Sequence, residues 1–162
     1  MTARVLVSRH VAASPERAFD AFVGEIGAWW RPSPLFPFTP GRSGRMAFEP
    51  GQGGRLVERY DDGTEFEIGR VQVWDPPSEL VLSWRTATFA PDQETQLHVR
   101  FEPVGDATRV TVEHVGWDAI PQEHAARHGF PLHDFQQRLA EHWRRALDEL
   151  GAVVASPGDR SP

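Results

Sequence analysis

The segment FPLHDFQQRLAEHWRRALDELG, Phe130 to Gly151, constrains the fold more than any other part of the chain, because its apolar residues keep a helical period throughout. Phe135, Leu139, Trp143, Ala146, Leu147 and Leu150 recur at steps of three and four. At about 100° per residue they gather into one sector roughly 120° wide. Gln137, Glu141, Arg144, Arg145 and Asp148 fill the opposite side. Asp134 is placed to cap the first turn, the two arginines fall toward the negative end of the helix dipole, and Gly151 offers a stop. A helix of this length, about 25 Å, buries such a stripe only against a broad apolar partner. The rest of the chain must provide that partner.

It does so with strands. RVLVSRHV near the N-terminus alternates, with Val5, Val7, Arg9 and Val11 on one face. Ser14-Pro15-Glu16 is a helix entry, with serine as N-cap, proline where no N–H is needed and an acid in the first turn. Gly24 and Gly27 interrupt the apolar pattern that follows, so two short helices with a bend are expected, ending near Trp29 and Trp30. Pro32, Pro34, Pro37 and Pro40 then forbid regular structure and present Leu35, Phe36 and Phe38 from a loop. Six strands are expected after it: Arg45 to Glu49, Arg55 to Tyr60, Glu65 to Trp74, Glu79 to Arg85, Glu94 to Glu102 and Thr108 to Val115. Their links (PGQGG, DDG, DPP, APDQ, PVGDA) are short and turn-forming, which favours an antiparallel meander over βαβ units. Leu80, Leu82 and Trp84 share a face, as do Leu97, Val99 and Phe101, and Val110, Val112 and His114. Thr95, Gln96, His98, Arg100, Glu102, Thr111 and Glu113 are assigned to the solvated outer surface. The segment between Gly116 and Gly129 reads as a turn followed by a short helix.

Composition narrows the function. The chain of 162 residues fits one domain, 1–151, and the aperiodic, polar tail 152–162 reads as disordered. With no cysteine, disulfides, thiolate catalysis and Cys-ligated metals are excluded; with no lysine, so is Schiff-base chemistry. A net charge of −6 without a basic run argues against nucleic acid. No apolar run approaches the roughly 20 residues that span a bilayer, so no membrane association is expected. The N-terminus has no secretory h-region, and a cytoplasmic location is the expectation.

The order of several short words then resembles a known family. Ser14-Pro15-Glu16-Arg17-Ala18-Phe19 follows the first strand, Trp29-Trp30 closes the second helix, and Gly53-Gly54-Arg55 opens a strand. Asp62-Gly63, the run Gly69 to Pro77 (GRVQVWDPP), Leu80 to Trp84 (LVLSW) and Thr108 to His114 (TRVTVEH) come after it in that order. Across residues 4 to 150 this resembles the START-like (SRPBCC, birch-pollen-allergen-like) superfamily, and within it the bacterial branch named after the activator of heat-shock protein 90 ATPase. The resemblance implies an α+β helix-grip fold: a curved antiparallel sheet, two short helices and a long C-terminal helix packed across it. It also implies a cavity between sheet and helix, in which superfamily members hold lipids, polyketides or aromatic compounds and occasionally transform them. This chain has Gly129-Phe130 where the family often has Gly-Trp leading into the last helix.

The expected function is therefore binding of a small apolar or aromatic molecule, with Trp84, Phe101, Val112, Phe135, Leu139 and Trp143 as walls and Trp30, Phe36 and Phe38 near the mouth. The simpler reading of any one of these side chains is that it fills a closed core. His114, on the inward face, could orient a ligand or act as a general acid–base, or simply bond to a backbone carbonyl. Arg9 could meet a ligand carboxylate or pair with an acid of the protein. Tyr60 can point either way. His124 and His128 are four apart and His133 and His142 follow, but the His-Glu-x-x-His word is absent and no metal is expected. Neither a nucleophile elbow nor a phosphate-binding glycine loop is present, and no cofactor is expected. Two alternatives stand beside ligand binding: an enzyme of the same fold acting as cyclase, dehydratase or hydrolase on a polyketide-like substrate, and a module acting on a chaperone ATPase. Homodimerisation is left open.

Overall fold

In the computed structural model, residues 4–30, 33, 36–90, 92–117, 120, 124, 127 and 130–155 are described. The strands are β1 (Arg4–Val11), β2 (Arg45–Phe48), β3 (Arg55–Arg59), β4 (Glu65–Asp75), β5 (Glu79–Trp84), β6 (Thr95–Val104) and β7 (Ala107–Val115). The helices are α1 (Pro15–Gly24), α2 (Ile26–Trp29) and α3 (Leu132–Ala155). One seven-stranded sheet runs β1-β7-β6-β5-β4-β3-β2, with every neighbouring pair antiparallel. The meander from β2 to β7 follows from the short turns. Strand β1 then closes the other edge by pairing with β7, Val7 opposite Val112 and Val5 opposite His114.

Alternation decides which face is covered. Val5, Val7 and Val11 of β1, Leu80 and Leu82 of β5, Leu97, Val99 and Phe101 of β6, and Val110 and Val112 of β7 are all buried. The sheet presents them to α1 and α3. Ser14 accepts from the Arg17 N–H at 3.1 Å and starts α1. That helix buries Phe19 and Phe22, whose rings lie 5.1 and 5.7 Å from Phe101. Gly69 lets β4 pass tight against β5, because a Cβ there would lie 1.7 Å from the Ser83 carbonyl oxygen. No helix among the described residues is long and apolar enough to cross a membrane.

Helix α3 departs from expectation at both ends. Asp134 lies inside the first turn rather than ahead of it. The helix does not stop at Gly151 but continues to Ala155. Gly151 is not among the positive-φ glycines, and Val154, buried at 2% exposure, extends the stripe of Leu147 and Leu150 by one more turn. Residues 152–155 are therefore helical rather than a disordered tail, and 156–162 lie outside the described residues. Arg144 and Arg145 consequently sit mid-helix, where both reach Glu141 at 3.3 and 3.4 Å. Of the segment read as a turn and short helix after Gly116, most lies outside the described residues.

Candidate functional site

A cavity of about 400 Å³ opens where α3, the end of β5 and the loop after α2 meet. Trp30 closes α2, and Phe36, Pro37, Phe38 and Pro40 follow on the loop. Trp84 ends β5, with Thr86 and Thr88 beyond it; His114 lies near the end of β7, with Trp117 beyond that; and α3 adds Leu139, His142 and Trp143. The proline-rich loop is held down by the Ala87 N–H, which donates to the Phe38 carbonyl at 2.7 Å. Trp84 is the hub of the wall, its ring centroid 5.4 Å from Phe38 and 5.6 Å from each of Trp30, His114 and Trp143.

The polar groups are few, and four of their nitrogens are unmet. His114 is 1% exposed, and its Nε2 lies 2.8 Å from the Thr95 hydroxyl, which in turn donates to the Trp84 carbonyl at 2.8 Å. Its Nδ1 is buried with no hydrogen-bond partner, as are Nε2 of His142 and the indole Nε1 atoms of Trp117 and Trp143. Burial pushes the His114 imidazolium down to about 3. Burial, with the positive charge of Arg145 second, pushes His142 down to about 4. Both rings are thus neutral near pH 7, because a low-dielectric surrounding disfavours the charged form. Thr86 and Thr88 complete the polar wall and bond to each other at 2.7 Å. Two neutral imidazoles facing one apolar space can accept or relay a proton, and two indoles can donate hydrogen bonds.

Seven of the residues proposed from sequence line this cavity: Trp30, Phe36, Phe38, Trp84, His114, Leu139 and Trp143. Arg9 does not reach it. Its guanidinium pairs with Asp148 of α3 at 3.0 Å, on the solvent edge of β1. Phe101 packs beneath α1, and Val112 is fully buried in the core. Phe135 stands behind the wall, 4.7 Å from Trp117 and 5.8 Å from Phe36, and supports both. Thr95, assigned to the outer surface, is 2% exposed and faces inward, since it shares the parity of Leu97 and Val99. Tyr60 is buried, its hydroxyl bonded to Glu58 and Thr39 at 2.7 Å each, away from the cavity.

His142, Trp117, Thr86 and Thr88 were not singled out as cavity residues from the sequence. His142 had a signal, lying seven residues after Phe135 and so two helical turns along the same side. Thr86 and Thr88 continue the parity of Trp84, whereas Trp117 lies past the strand, where no period applies. His124 sits against the Thr88 carbonyl at 3.0 Å, and His128 is outside the described residues. Among the described residues no three His, Asp or Glu side chains converge as a metal site would require.

A long helix laid across a curled antiparallel sheet, with a cavity between them, is the helix-grip architecture. Within that class the chain belongs to the activator of Hsp90 ATPase homolog 1-like family, whose pattern matches residues 12–155. An HSP90 activator from Plasmodium falciparum superposes with a TM-score of 0.65 at 16% identity, covering 95% of this chain and 97% of that one. Protein MLL2253 from Mesorhizobium loti superposes with a TM-score of 0.64 at 19% identity, covering 99% of both chains. Txn09, an anthrahydroquino-gamma-pyrone synthase, is 31% identical over 90% of this chain and 96% of its own, with a TM-score of 0.54. No curated protein matches the sequence significantly.

Proposed function

We propose that this protein binds a small, uncharged, largely aromatic molecule in the cavity between the sheet and α3. The observation that carries the reading is the set of four cavity-lining side chains, His114, His142, Trp117 and Trp143, each with a buried nitrogen lacking a partner. A buried polar atom left unsatisfied costs about 1–3 kcal/mol, so four of them around one space are a standing cost that a ligand with polar atoms offsets. The volume of about 400 Å³ lies within the roughly 300–1,000 Å³ of ligand pockets. The aromatic walls suit a flat ring system through stacked and edge contacts.

A second reading, an enzyme of the same fold, is favoured by His142. Acid–base work on a polyketide-like substrate asks for two titratable groups in one cavity, and His142 joins His114 in lining this one. The 31% identity to an anthrahydroquino-gamma-pyrone synthase supports the same direction. The chaperone-module reading has less support: the large exposed apolar residues among those described, Leu6, Val73 and Val104, sit on three strands that are not neighbours in the sheet, and the HSP90 activator likeness at 16% identity bears on fold alone.

Native mass spectrometry of gently purified protein, followed by thermal-shift titration with fatty acids, flavonoids and aromatic polyketides, tests the reading. A ligand at a hundredfold excess over its dissociation constant raises stability by about 2.7 kcal/mol. The expected result is stabilisation by flat aromatic compounds that disappears in Leu139→Trp, where the larger ring fills the cavity. Incubating each hit at saturating concentration and seeking a product mass that His142→Phe loses while it still binds the hit separates catalysis from binding. No co-purifying mass and no shift across the panel would overturn ligand binding.

A further inference from the structure

The kind of hydrogen bond that the cavity offers is set by a backbone carbonyl outside it. The Trp84 carbonyl can only accept, so the Thr95 hydroxyl, 2.8 Å away, spends its single proton there. The same hydroxyl then has only lone pairs for His114 Nε2, also at 2.8 Å, and Nε2 must carry the N–H. In a neutral imidazole the other nitrogen is then a bare acceptor, and that nitrogen, Nδ1, is buried without a partner.

We propose that the chain Trp84 carbonyl, Thr95 hydroxyl, His114 fixes Nδ1 as the hydrogen-bond acceptor of the cavity and so selects ligands bearing a neutral aromatic hydroxyl group. Thr95 is in this scheme a positioning residue. It lies on β6, bonds to Nε2 of the ring without lining the cavity itself, and leaves the ligand contact to His114. The indoles of Trp117 and Trp143, with ring centroids 5.5 and 6.4 Å from the His114 ring, can only donate, and both are unpartnered. The complementary ligand therefore carries acceptor oxygen beside the hydroxyl, as hydroxylated aromatic ketones do. An ionised hydroxyl is disfavoured, since it offers no proton to Nδ1 and would carry a charge into an apolar space. Burial supports the assignment by keeping the ring neutral.

The inference rests on the cavity being a ligand site, and two experiments keep the two claims apart. In the free protein, ¹⁵N-histidine NMR should show Nε2 of His114 protonated and Nδ1 bare. Thr95→Val should scramble that pattern, and Thr95→Ser, which keeps the hydroxyl, should restore it. An Nδ1–H tautomer in the wild type would overturn the inference whatever the cavity binds. For binding, the probes are 1-naphthol and its methyl ether 1-methoxynaphthalene, which differ by the hydroxyl proton. The naphthol should bind about two- to tenfold tighter, the worth of one net hydrogen bond to a buried acceptor. Thr95→Val should erase the difference by weakening the naphthol alone, and Thr95→Ser should retain it. Equal affinity of the two probes, both blocked by Leu139→Trp, would overturn the inference and leave the cavity reading standing. Binding by neither probe, together with a silent ligand panel, would remove both.

Discussion

His142 holds a ring nitrogen that is buried and unpartnered between the rings of Trp30 and Phe36, at centroid distances of 4.8 and 5.3 Å. Phenylalanine keeps an aromatic ring there and removes that orphaned atom together with the other ring nitrogen. His142→Phe should therefore leave folding stability unchanged or raise it by up to about 1–3 kcal/mol, the cost of an orphaned polar group, while weakening any ligand that bonds to the nitrogen. Urea midpoints and ligand titrations on the same preparation check both halves; a clear loss of stability would mean that the nitrogen has a partner. His114 was legible in the sequence because strand alternation is strict and put it on the side of Val110 and Val112. Arg9 obeyed the same alternation, yet its long side chain runs off the edge strand to Asp148, and parity says nothing about how far a guanidinium reaches. Periodicity leaves His142 undecided, because on a helix a polar residue beside a tryptophan can fall on either border of the stripe.

At the scale of elements, the sheet was readable nearly strand for strand, because each apolar alternation ended at a turn-forming word. Thr95 shows where that failed: counting from Leu97 places it inward, but its polarity suggested the outside. The end of α3 failed for a different reason. Glycine is a frequent stop, and the choice between stop and continuation depends on whether the next turn has something to bury, which here is Val154. A test follows from that packing. Gly151 is helical, and a Cβ added to it would lie 3.6 Å from Val11 Cγ1, an ordinary contact. Gly151→Ala should therefore stabilise the fold by about 0.5–1 kcal/mol, the difference in helix propensity, with a raised urea midpoint and an unchanged slope. If Gly151 instead ended the helix in a left-handed conformation, the same substitution would destabilise.

Across the whole molecule the cavity couples ligand chemistry to acid stability, because the same burial that keeps two imidazoles neutral acts on folding. His114 is pushed from 6.5 down to about 3 and His142 from 6.5 down to about 4. Above pH 6.5 neither state binds these protons and the two groups have no effect. Below it the unfolded chain takes them up while the native state does not, so the unfolded state holds more protons and stability falls with pH. The window runs from 6.5 to about 4 for His142 and to about 3 for His114. Within it each histidine contributes at most about 1.4 kcal/mol per pH unit, or about 2.7 for the pair. Glu49, Asp62 and Glu65 are held below their ordinary values chiefly by hydrogen bonds from Arg55, Thr64 and Arg55 in turn, and so act only at lower pH. Urea unfolding at steps between pH 6.5 and 5 thus isolates the imidazoles. Stability should decline across that range, and His142→Phe should lower the slope by about half, since one of two proton-linked groups is gone. A flat profile in the wild type would mean that water or a bound molecule already solvates both rings. A bound neutral ligand adds to the native state alone and should lift the whole curve, least where acid begins to charge His114 and removes the acceptor on which the hydroxyl depends.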